Sequence, residues 1–291
     1  MKSNRRPRVG LVLGSGSARG WAHIGVIRGL AAMGIEPDLV CGCSIGALVG
    51  AAYAEGGLDG FEEWVRSLGW QDVLGLLDVS LGGGLIKGDK LMAFFEQHFV
   101  DRDFDTLPLP FACVATDLES GREVWLREGS VSAAVRASIA LPGLFAPMRR
   151  DDRLLVDGGL VNPVPVSLAR ALGADIVIAV DLGSDIVGSA LRKAEDDGAA
   201  APGWGRRLLN SLGLGGGGDL PPMSSVMTTS IHIMQTRIAR SRLAGEPADV
   251  LLSPRLAGLA LMDYHRADEA IAEGRAVVER MRPAIEYALS Q

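Results

Sequence analysis

A serine between two glycines carries the strongest chemical signal in the sequence. Ser44 is the middle residue of a Gly-x-Ser-x-Gly pattern, Gly42-Cys43-Ser44-Ile45-Gly46. Residues 38–40 before it are typical of a buried strand end, and residues 47–54 after it are good helix formers. Because Gly42 and Gly46 lack a Cβ, the pattern predicts a sharp turn, a nucleophile elbow, that lifts the Ser44 hydroxyl off the backbone. Such a serine is typical of acyl-transfer enzymes, although a structural Gly/Ser turn has the same pattern.

A second glycine-rich loop, Gly14-Ser15-Gly16-Ser17-Ala18-Arg19-Gly20, joins an apolar strand at residues 8–13 to a helix predicted from about residue 21 to 33. Its backbone N–H groups at a helix N-terminus could bind an anion. The loop lacks the Gly-Lys-Ser/Thr of a phosphate-binding loop, and Arg19 stands where the dinucleotide-binding pattern needs glycine. The remaining interpretations are an oxyanion hole and a plain tight turn. His23 on the following helix is expected to be a helix-face residue rather than a base.

The serine needs a general base, and Asp157 is the best-placed candidate. It follows a predicted strand at residues 153–156 and precedes two glycines, although Asp-Gly pairs are also common in ordinary turns. A triad hydrolase would have the chain order Ser, Asp, His, which directs attention to His232 and His265. We expect His232 inside a helix and His265 at the start of the terminal helix, and neither lies in a loop just after a strand. The simpler hypothesis is that Asp157 takes the proton from Ser44 directly, and the triad stays open as an alternative.

The predicted elements explain how these residues could meet. In a parallel sheet with right-handed crossovers, the carboxyl ends of the strands share one edge. We therefore expect the first glycine-rich loop, Ser44 and Asp157 to converge there. The other predicted elements are a strand at 111–116 with a hairpin partner at 123–127, a helix at 130–140, a helix that Asn162 caps and that ends at Gly173, a buried strand at 175–181, a helix at 225–244, a strand at 249–252 and a terminal helix at 264–289 interrupted or kinked near Pro283.

Composition favours one large α/β domain. The chain has 291 residues, of which 48% are hydrophobic and 22% charged, and we expect a basic tail at 1–7 followed by a single domain at 8–291. The net charge of −6 argues against nucleic-acid binding, because phosphate contacts need a basic face. No secretory signal or membrane span is expected. The odd number of cysteines, Cys41, Cys43 and Cys113, predicts reduced core thiols in a cytoplasmic protein, with no metal site.

Two further segments suit contact with lipid or with a partner. Residues 68–86 are rich in large apolar side chains and could form an acyl-chain pocket, a lid or the face of a homodimer. Residues 184–222 form a glycine-rich insertion, within which residues 204–212 are apolar and carry two arginines. That composition suits peripheral contact at the inner membrane surface, and a disordered surface insertion is the alternative.

Three blocks occur in the order found in one known family. They are the glycine-rich loop at 14–20, the Ser44 pattern at 42–46 and Asp157-Gly158-Gly159. Residues 84–88, 115–118 and 136–142 look similar as well. Over roughly residues 8–275 the sequence resembles the patatin-like phospholipases, both the bacterial members and the catalytic domain of neuropathy target esterase.

The resemblance implies a three-layer α/β/α fold with a mostly parallel sheet and a Ser44–Asp157 dyad without histidine. It further implies an acyl-enzyme, an oxyanion hole made by backbone amides of the loop at 14–20, and hydrolysis of lipid acyl esters of the phospholipase A, lysophospholipase or carboxylesterase type, with no cofactor. Arg19 is expected to anchor the loop. Ser15 and Ser17 stand where the family often has glycine, which keeps the N–H donors but costs energy wherever φ is positive. A lipid-binding or regulatory protein with a silent site is the alternative.

Overall fold

The computed structural model describes residues 5–69, 102–183 and 223–291. Its strands are β1 (Val9–Leu13), β2 (Leu39–Cys43), β3 (Phe111–Asp117), β4 (Glu123–Leu126), β5 (Met148–Arg150), β6 (Arg153–Asp157), β7 (Ile176–Val180) and β8 (Val250–Leu252). Its α-helices are α1 (Ala22–Ala32), α2 (Ile45–Ala54), α3 (Leu58–Ser67), α4 (Val131–Ser138), α5 (Val166–Ala171), α6 (Met223–Gly245) and α7 (Ala267–Leu289). Short 3-10 helices lie at Ser17–Trp21, Phe104–Thr106 and Gly158–Leu160.

The strands form one mixed sheet in the order β5-β6-β3-β2-β1-β7-β8, with β4 also paired to β3. Strands β1, β2, β3, β7 and β8 run parallel to one another, whereas β4 and β6 pair with β3 in the antiparallel direction. Strands β1 and β7 are buried along their whole length, as expected for parallel strands covered on both faces. The predicted α/β fold with a mostly parallel central sheet is confirmed.

Alternate residues of β1 enter two different cores, as the period of two in a strand requires. Leu11 and Leu13 pack in one core with α1, α2, α3 and α7. Val12 packs in a second core with α5 and with Ala239 of α6. The sheet is therefore the middle layer of an α/β/α arrangement. None of the helices in the described ranges is long and apolar enough to cross a bilayer.

Strands β2 and β6 end at adjacent positions along β3. Cys43, the last residue of β2, pairs with Val114, and Asp157, the last residue of β6, pairs with Ala115. Because β2 is parallel and β6 antiparallel to β3, the two strands point toward each other. The residue after β2 and the last residue of β6 are thereby brought together.

The direction of strand β6, which carries Asp157, differs from the expected one. Asp157 was expected at the carboxyl end of a parallel strand, but β6 pairs with β3 in the antiparallel direction. Its position follows from the meeting of β6 with β2 instead. An antiparallel strand cannot be distinguished from a parallel one by the short apolar run at residues 153–156.

One local prediction is also wrong, and at Pro283 one of two expected alternatives is absent. Asn162 was expected to cap a helix, but α5 begins only at Val166, after Pro165. The Asn162 amide instead donates to Glu123 Oε1 at 2.8 Å, a contact across the chain that sequence spacing does not reveal. Helix α7 continues through Pro283, so the interruption offered there, as the alternative to a kink, is absent.

The other predicted elements are confirmed to within a few residues, including the hairpin of β3 with β4. The helix expected from residue 21 begins one turn earlier, as the 3-10 helix Ser17–Trp21. The predictions for residues 70–86 and 184–222 fall outside the described residues.

Candidate active site

Ser44 occupies the strand-to-helix turn that the sequence predicts. It lies between β2 and α2 with φ 56° and ψ −126°, a backbone conformation that non-glycine residues rarely adopt. The flanking glycines are required by close approach. A Cβ at Gly42 would lie 2.5 Å from Ala47 Cα, and one at Gly46 would lie 2.0 Å from the Leu13 carbonyl oxygen. The strained backbone is therefore held in place by tight packing on both sides of the serine.

A residue that sequence analysis missed supports this turn. The Ser44 N–H donates to Ser138 Oγ at 2.9 Å, and the Ser138 hydroxyl donates to the Val114 carbonyl at 2.7 Å. Ser138 is the last residue of α4 and is completely buried. The link fixes Ser44 to β3, and it could not be found from spacing because the two serines are far apart in the chain.

Ser44 and Asp157 are in direct contact. The Ser44 hydroxyl donates to Asp157 Oδ2 at 2.5 Å, and the Gly159 N–H donates to Asp157 Oδ1 at 2.7 Å. The Asp157 side chain is 0% exposed. Burial raises the pKa of Asp157 to about 6, although the hydrogen bonds from Ser44 and Gly159 act in the opposite direction. A carboxylate with this pKa is ionised at neutral pH and still basic enough to accept a proton.

The glycine-rich loop lies against the Ser44 turn. A Cβ at Gly20 would lie 2.2 Å from the Ile45 side chain, and the Gly14 carbonyl oxygen would lie 2.7 Å from a Cβ at Gly46. The expected convergence of the two loops is therefore present. Both follow parallel neighbouring strands, β1 and β2, as the crossover rule requires.

Most backbone N–H groups of this loop already have acceptors. The amide of Gly14 donates to Val180, that of Ser15 to Pro163 and that of Ala18 to Leu261, at 3.1, 2.9 and 3.1 Å. The amides of Gly16 and Ser17 have no acceptor in the part of the chain that the structure describes. Two adjacent N–H groups are thus free to bind an anion, as an oxyanion hole requires.

Ser17 has a positive φ of 52°, the conformation that favours glycine. The cost anticipated for serine in this loop therefore falls on Ser17. Ser15 is not among the residues with positive φ. Tyr264 lies close to this position, since its hydroxyl interacts with the Ser17 side chain and with the charge of Asp157. Burial is the main cause that raises the pKa of Tyr264 to about 12.

Arg19 anchors the loop to two distant segments. Its side chain is 6% exposed, and Nε donates to the Leu259 carbonyl at 2.9 Å. The guanidinium also lies 3.0 Å from His232 Nε2. Burial, together with the charge of Arg19, lowers the pKa of His232 to about 4, so the imidazole is neutral near pH 7 and accepts this hydrogen bond. The tie between Arg19 and α6 was not foreseen, because nothing local in the sequence signals it.

Two other histidines within the described ranges, His23 and His265, have other positions. His23 Nε2 bonds to the Gly14 carbonyl at 2.8 Å, and burial lowers the pKa of His23 to about 4. His23 thus lies on helix α1, where it is buried and supports the loop. His265 lies in the turn before α7. Among the described residues, no group of three or more His, Cys, Asp or Glu side chains is arranged to hold a metal ion.

Comparisons with known proteins show the family to which the chain belongs. Residues 11–170 match the family model described as patatin-like phospholipase. The chain belongs to the patatin-like phospholipase family. Members of the family hydrolyse lipid esters, and this chain is accordingly a hydrolase that acts on ester bonds.

Two relatives illustrate the range of the family. An NTE family protein of Mycobacterium bovis is 34% identical over 342 aligned positions, which cover 98% of this chain and 94% of the relative. Patatin-like phospholipase domain-containing protein 6 of mouse is 37% identical over 185 positions, which cover 60% of this chain but only 14% of that protein.

A solved structure shares the fold. VipD from Legionella pneumophila superposes with a TM-score of 0.57 and 16% sequence identity, over 98% of this chain and 67% of VipD. At this identity the similarity concerns the fold alone.

Proposed function

We propose that the protein hydrolyses lipid acyl esters through a Ser44–Asp157 dyad and an acyl-enzyme. The observation that carries the proposal is the 2.5 Å hydrogen bond from the Ser44 hydroxyl to a fully buried carboxylate. A serine hydroxyl is a weak nucleophile unless a base accepts its proton. Asp157 is in contact with that proton, and its raised pKa suits proton transfer near neutral pH.

In the first half-reaction Ser44 Oγ attacks the ester carbonyl carbon, and its proton passes to Asp157 Oδ2. The carbonyl oxygen gains negative charge, which the free N–H groups of Gly16 and Ser17 stabilise. The carbon–oxygen bond to the alcohol then breaks, and Asp157 gives the proton to the departing oxygen. The alcohol or lysolipid leaves, and the acyl group stays on Ser44.

In the second half-reaction water replaces the alcohol. Asp157 accepts a proton from the water, whose oxygen attacks the acyl carbon. The same two amides hold the second oxyanion. The bond to Ser44 Oγ breaks, the proton returns to Ser44, and a fatty acid is released. Each proton taken up by Asp157 is given back, so the cycle needs no other acid or base.

The substrate class follows from the family: phospholipids, lysophospholipids or simpler carboxylic esters. We also propose that the chain from residue 8 onward acts as one hydrolase domain in the cytoplasm. Peripheral contact with the inner membrane surface and a homodimer are part of the proposal, since a lipid substrate lies in a bilayer.

An alternative with a His triad requires a histidine at the dyad. The partners of His232 and His23 are Arg19 and Gly14.

The proposal is tested by labelling the folded protein with a fluorophosphonate and locating the adduct by mass spectrometry. We expect one adduct, on Ser44, and none in Ser44→Ala. Asp157→Asn keeps the shape of the side chain and removes the base. It should lower turnover of a soluble ester about 10²- to 10⁴-fold. Ser120→Ala, in the exposed β3–β4 turn, is the control and should label normally.

Three outcomes would contradict the proposal. A folded wild-type protein that acquires no adduct, with and without lipid vesicles, would support a silent lipid-binding site. Normal turnover in Asp157→Asn would rule out the Ser44–Asp157 dyad as the mechanism. Loss of turnover in a folded His265→Ala variant would instead favour a triad.

A further inference from the structure

Helix α6 carries apolar side chains on its outer side. Val226, Met227, Ile233 and Met234 are 41, 53, 49 and 52% exposed. The two pairs are seven residues apart, which is close to two helical turns, so all four lie on one face. Large apolar side chains grouped on one exposed surface mark an interaction site more often than scattered ones do.

The inner side of the same helix is polar. His232, Gln235 and Thr236 are all buried, at 9, 7 and 3% exposure. His232 contacts Arg19 of the glycine-rich loop at residues 14–20, here called the oxyanion loop after its proposed role. Gln235 lies against the Asp157 turn, since a Cβ at Gly159 would be 2.5 Å from Gln235 Nε2. Next to the active-site loops the normal polarity of a surface helix is thus inverted, whereas farther along α6 Ala239 packs in the second core.

The charge of α6 points to the kind of surface that it fits. The helix contains Arg237, Arg240 and Arg242 and has no acidic residue, in a chain whose net charge is −6. Arg242 donates to Glu123, and Arg240 interacts with the charge of Asp181. Arg237 is exposed and lies on the apolar face, three residues after Met234. An apolar stripe that ends in a cation is typical of helices that lie in the interface of an anionic bilayer.

We propose that the outer face of α6, formed by Val226, Met227, Ile233, Met234 and Arg237, docks on a lipid bilayer that contains anionic head groups. The polar inner face would then hold the two active-site loops next to the membrane. The proposal rests on the lipid hydrolase function for its biological meaning, while docking itself is measured without catalysis. A second copy of the chain is the other candidate occupant. An anionic bilayer is the better match, because its head groups attract the Arg237 cation on this face.

The test uses the full chain and vesicles of phosphatidylcholine with or without phosphatidylglycerol. The wild-type protein should co-sediment with the anionic vesicles, and Ile233→Ser/Met234→Ser should bind about tenfold or more weakly, since two apolar side chains no longer enter the interface. Arg237→Gln should bind the anionic vesicles about fivefold more weakly. Its binding to pure phosphatidylcholine should not change.

Tyr287→Ser is the matched control. Tyr287 is 69% exposed and lies near Arg5 and Asp175, at the end of the strands opposite the active site. Its replacement removes a large exposed side chain far from α6 and should leave vesicle binding unchanged. An equal loss in this control would show that the effect is not specific to α6 and would overturn the proposal.

Three other results would also overturn the proposal. They are no binding of the wild type to anionic vesicles, equal binding of the double variant, and a wild-type dimer that the double variant converts to a monomer. The last would assign the face to a second copy. Hydrolysis of a soluble ester such as p-nitrophenyl butyrate should be the same in all variants. If no variant hydrolyses this ester while binding still depends on α6, the hydrolase proposal fails and the docking proposal stands.

Discussion

The helix pair α1–α7 and helix α6 cover opposite faces of the sheet and pack in different ways. Between α1 and α7 the contact is steric. A Cβ at Gly25 would lie 2.0 Å from the Ile271 carbonyl oxygen, and one at Gly274 would lie 2.0 Å from that of Ala22. Backbone therefore meets backbone, and no side chain can be added at these points.

On the other face α6 packs through polar groups. Its buried His232 and Gln235 contact the oxyanion loop and the Asp157 turn. The interface of α1 with α7 is closely packed and has no room for an added atom at Gly25 or Gly274. The α6 interface contributes hydrogen bonds to the site, whose geometry changes when a partner is lost. The comparison indicates that added volume is least tolerated between α1 and α7, whereas α6 supports the active-site loops through hydrogen bonds.

The largest effect on stability is expected on the steric face. Gly25→Ala places a methyl group against the backbone of α7 and should destabilise the fold by about 3 kcal/mol, more than the gain in helix propensity. Thermal unfolding measures the effect. Gly60→Ala in α3 is the control, because a Cβ there meets nothing within 4 Å, and it should stabilise by up to about 1 kcal/mol. Equal stability of Gly25→Ala and wild type would contradict the comparison.

Asp157→Asn should lower turnover but make the folded protein more stable than wild type at neutral pH. Burial raises the folded-state pKa of Asp157 to about 6, above its unfolded value, so ionisation of the folded protein is unfavourable. The wild type should lose about 3 kcal/mol relative to the variant as pH rises from about 4 to 6, and nothing more above that range. Urea unfolding at several pH values measures this difference. A difference that does not depend on pH would contradict the assignment of Asp157 as the raised acid.

Wild-type turnover should follow the same titration. The base must be ionised, so the rate should rise with pH through about 6 and then level off. The pH dependence of kcat/KM for a soluble ester checks this expectation. A flat profile between pH 5 and 8 would argue against Asp157 as the base.

His232 tests the polar face. His232→Ala removes the acceptor for the buried Arg19 guanidinium and should cost about 2 kcal/mol. His232→Gln offers a carbonyl oxygen in its place and should recover part of that loss, which thermal unfolding can measure. Its turnover should stay close to wild type, because the dyad does not use the imidazole. A folded His232→Gln variant without turnover would contradict the expectation that His232 only supports Arg19.

The smallest effect is expected at Ser17. Ser17→Gly relieves the positive φ and should stabilise by roughly 0.5–1 kcal/mol, while the N–H donor and turnover are kept. Ser15→Gly is the control, since Ser15 has no positive φ and gains nothing. Chemical denaturation of both variants distinguishes them. A stability gain of the same size at both positions would contradict the strain at Ser17.

The part of the site encoded by neighbouring residues was predictable. The turn at Ser44 follows from a strand, two glycines and a helix within about fifteen residues, and the structure has that turn. Asp157 was also named, but its route to Ser44 was not, because strand direction at β6 depends on pairing with β3. The links of Ser138 to Ser44 and of Arg19 to His232 join distant segments and have no local signal. Likewise, no pattern in α6 indicates that its polar face is the buried one.

The end-to-end meeting of β2 and β6 also determines when the protein can become active during synthesis. Ser44 and Asp157 are 113 residues apart in the chain. A growing chain that has reached only β3 contains the serine and the oxyanion loop but no base. In the proposed mechanism its serine has no base until β6 emerges from the ribosome and pairs with β3. With the proposed dyad, esterase activity therefore requires the long-range pairing of β6 with β3, and a chain that ends before β6 has no base for Ser44.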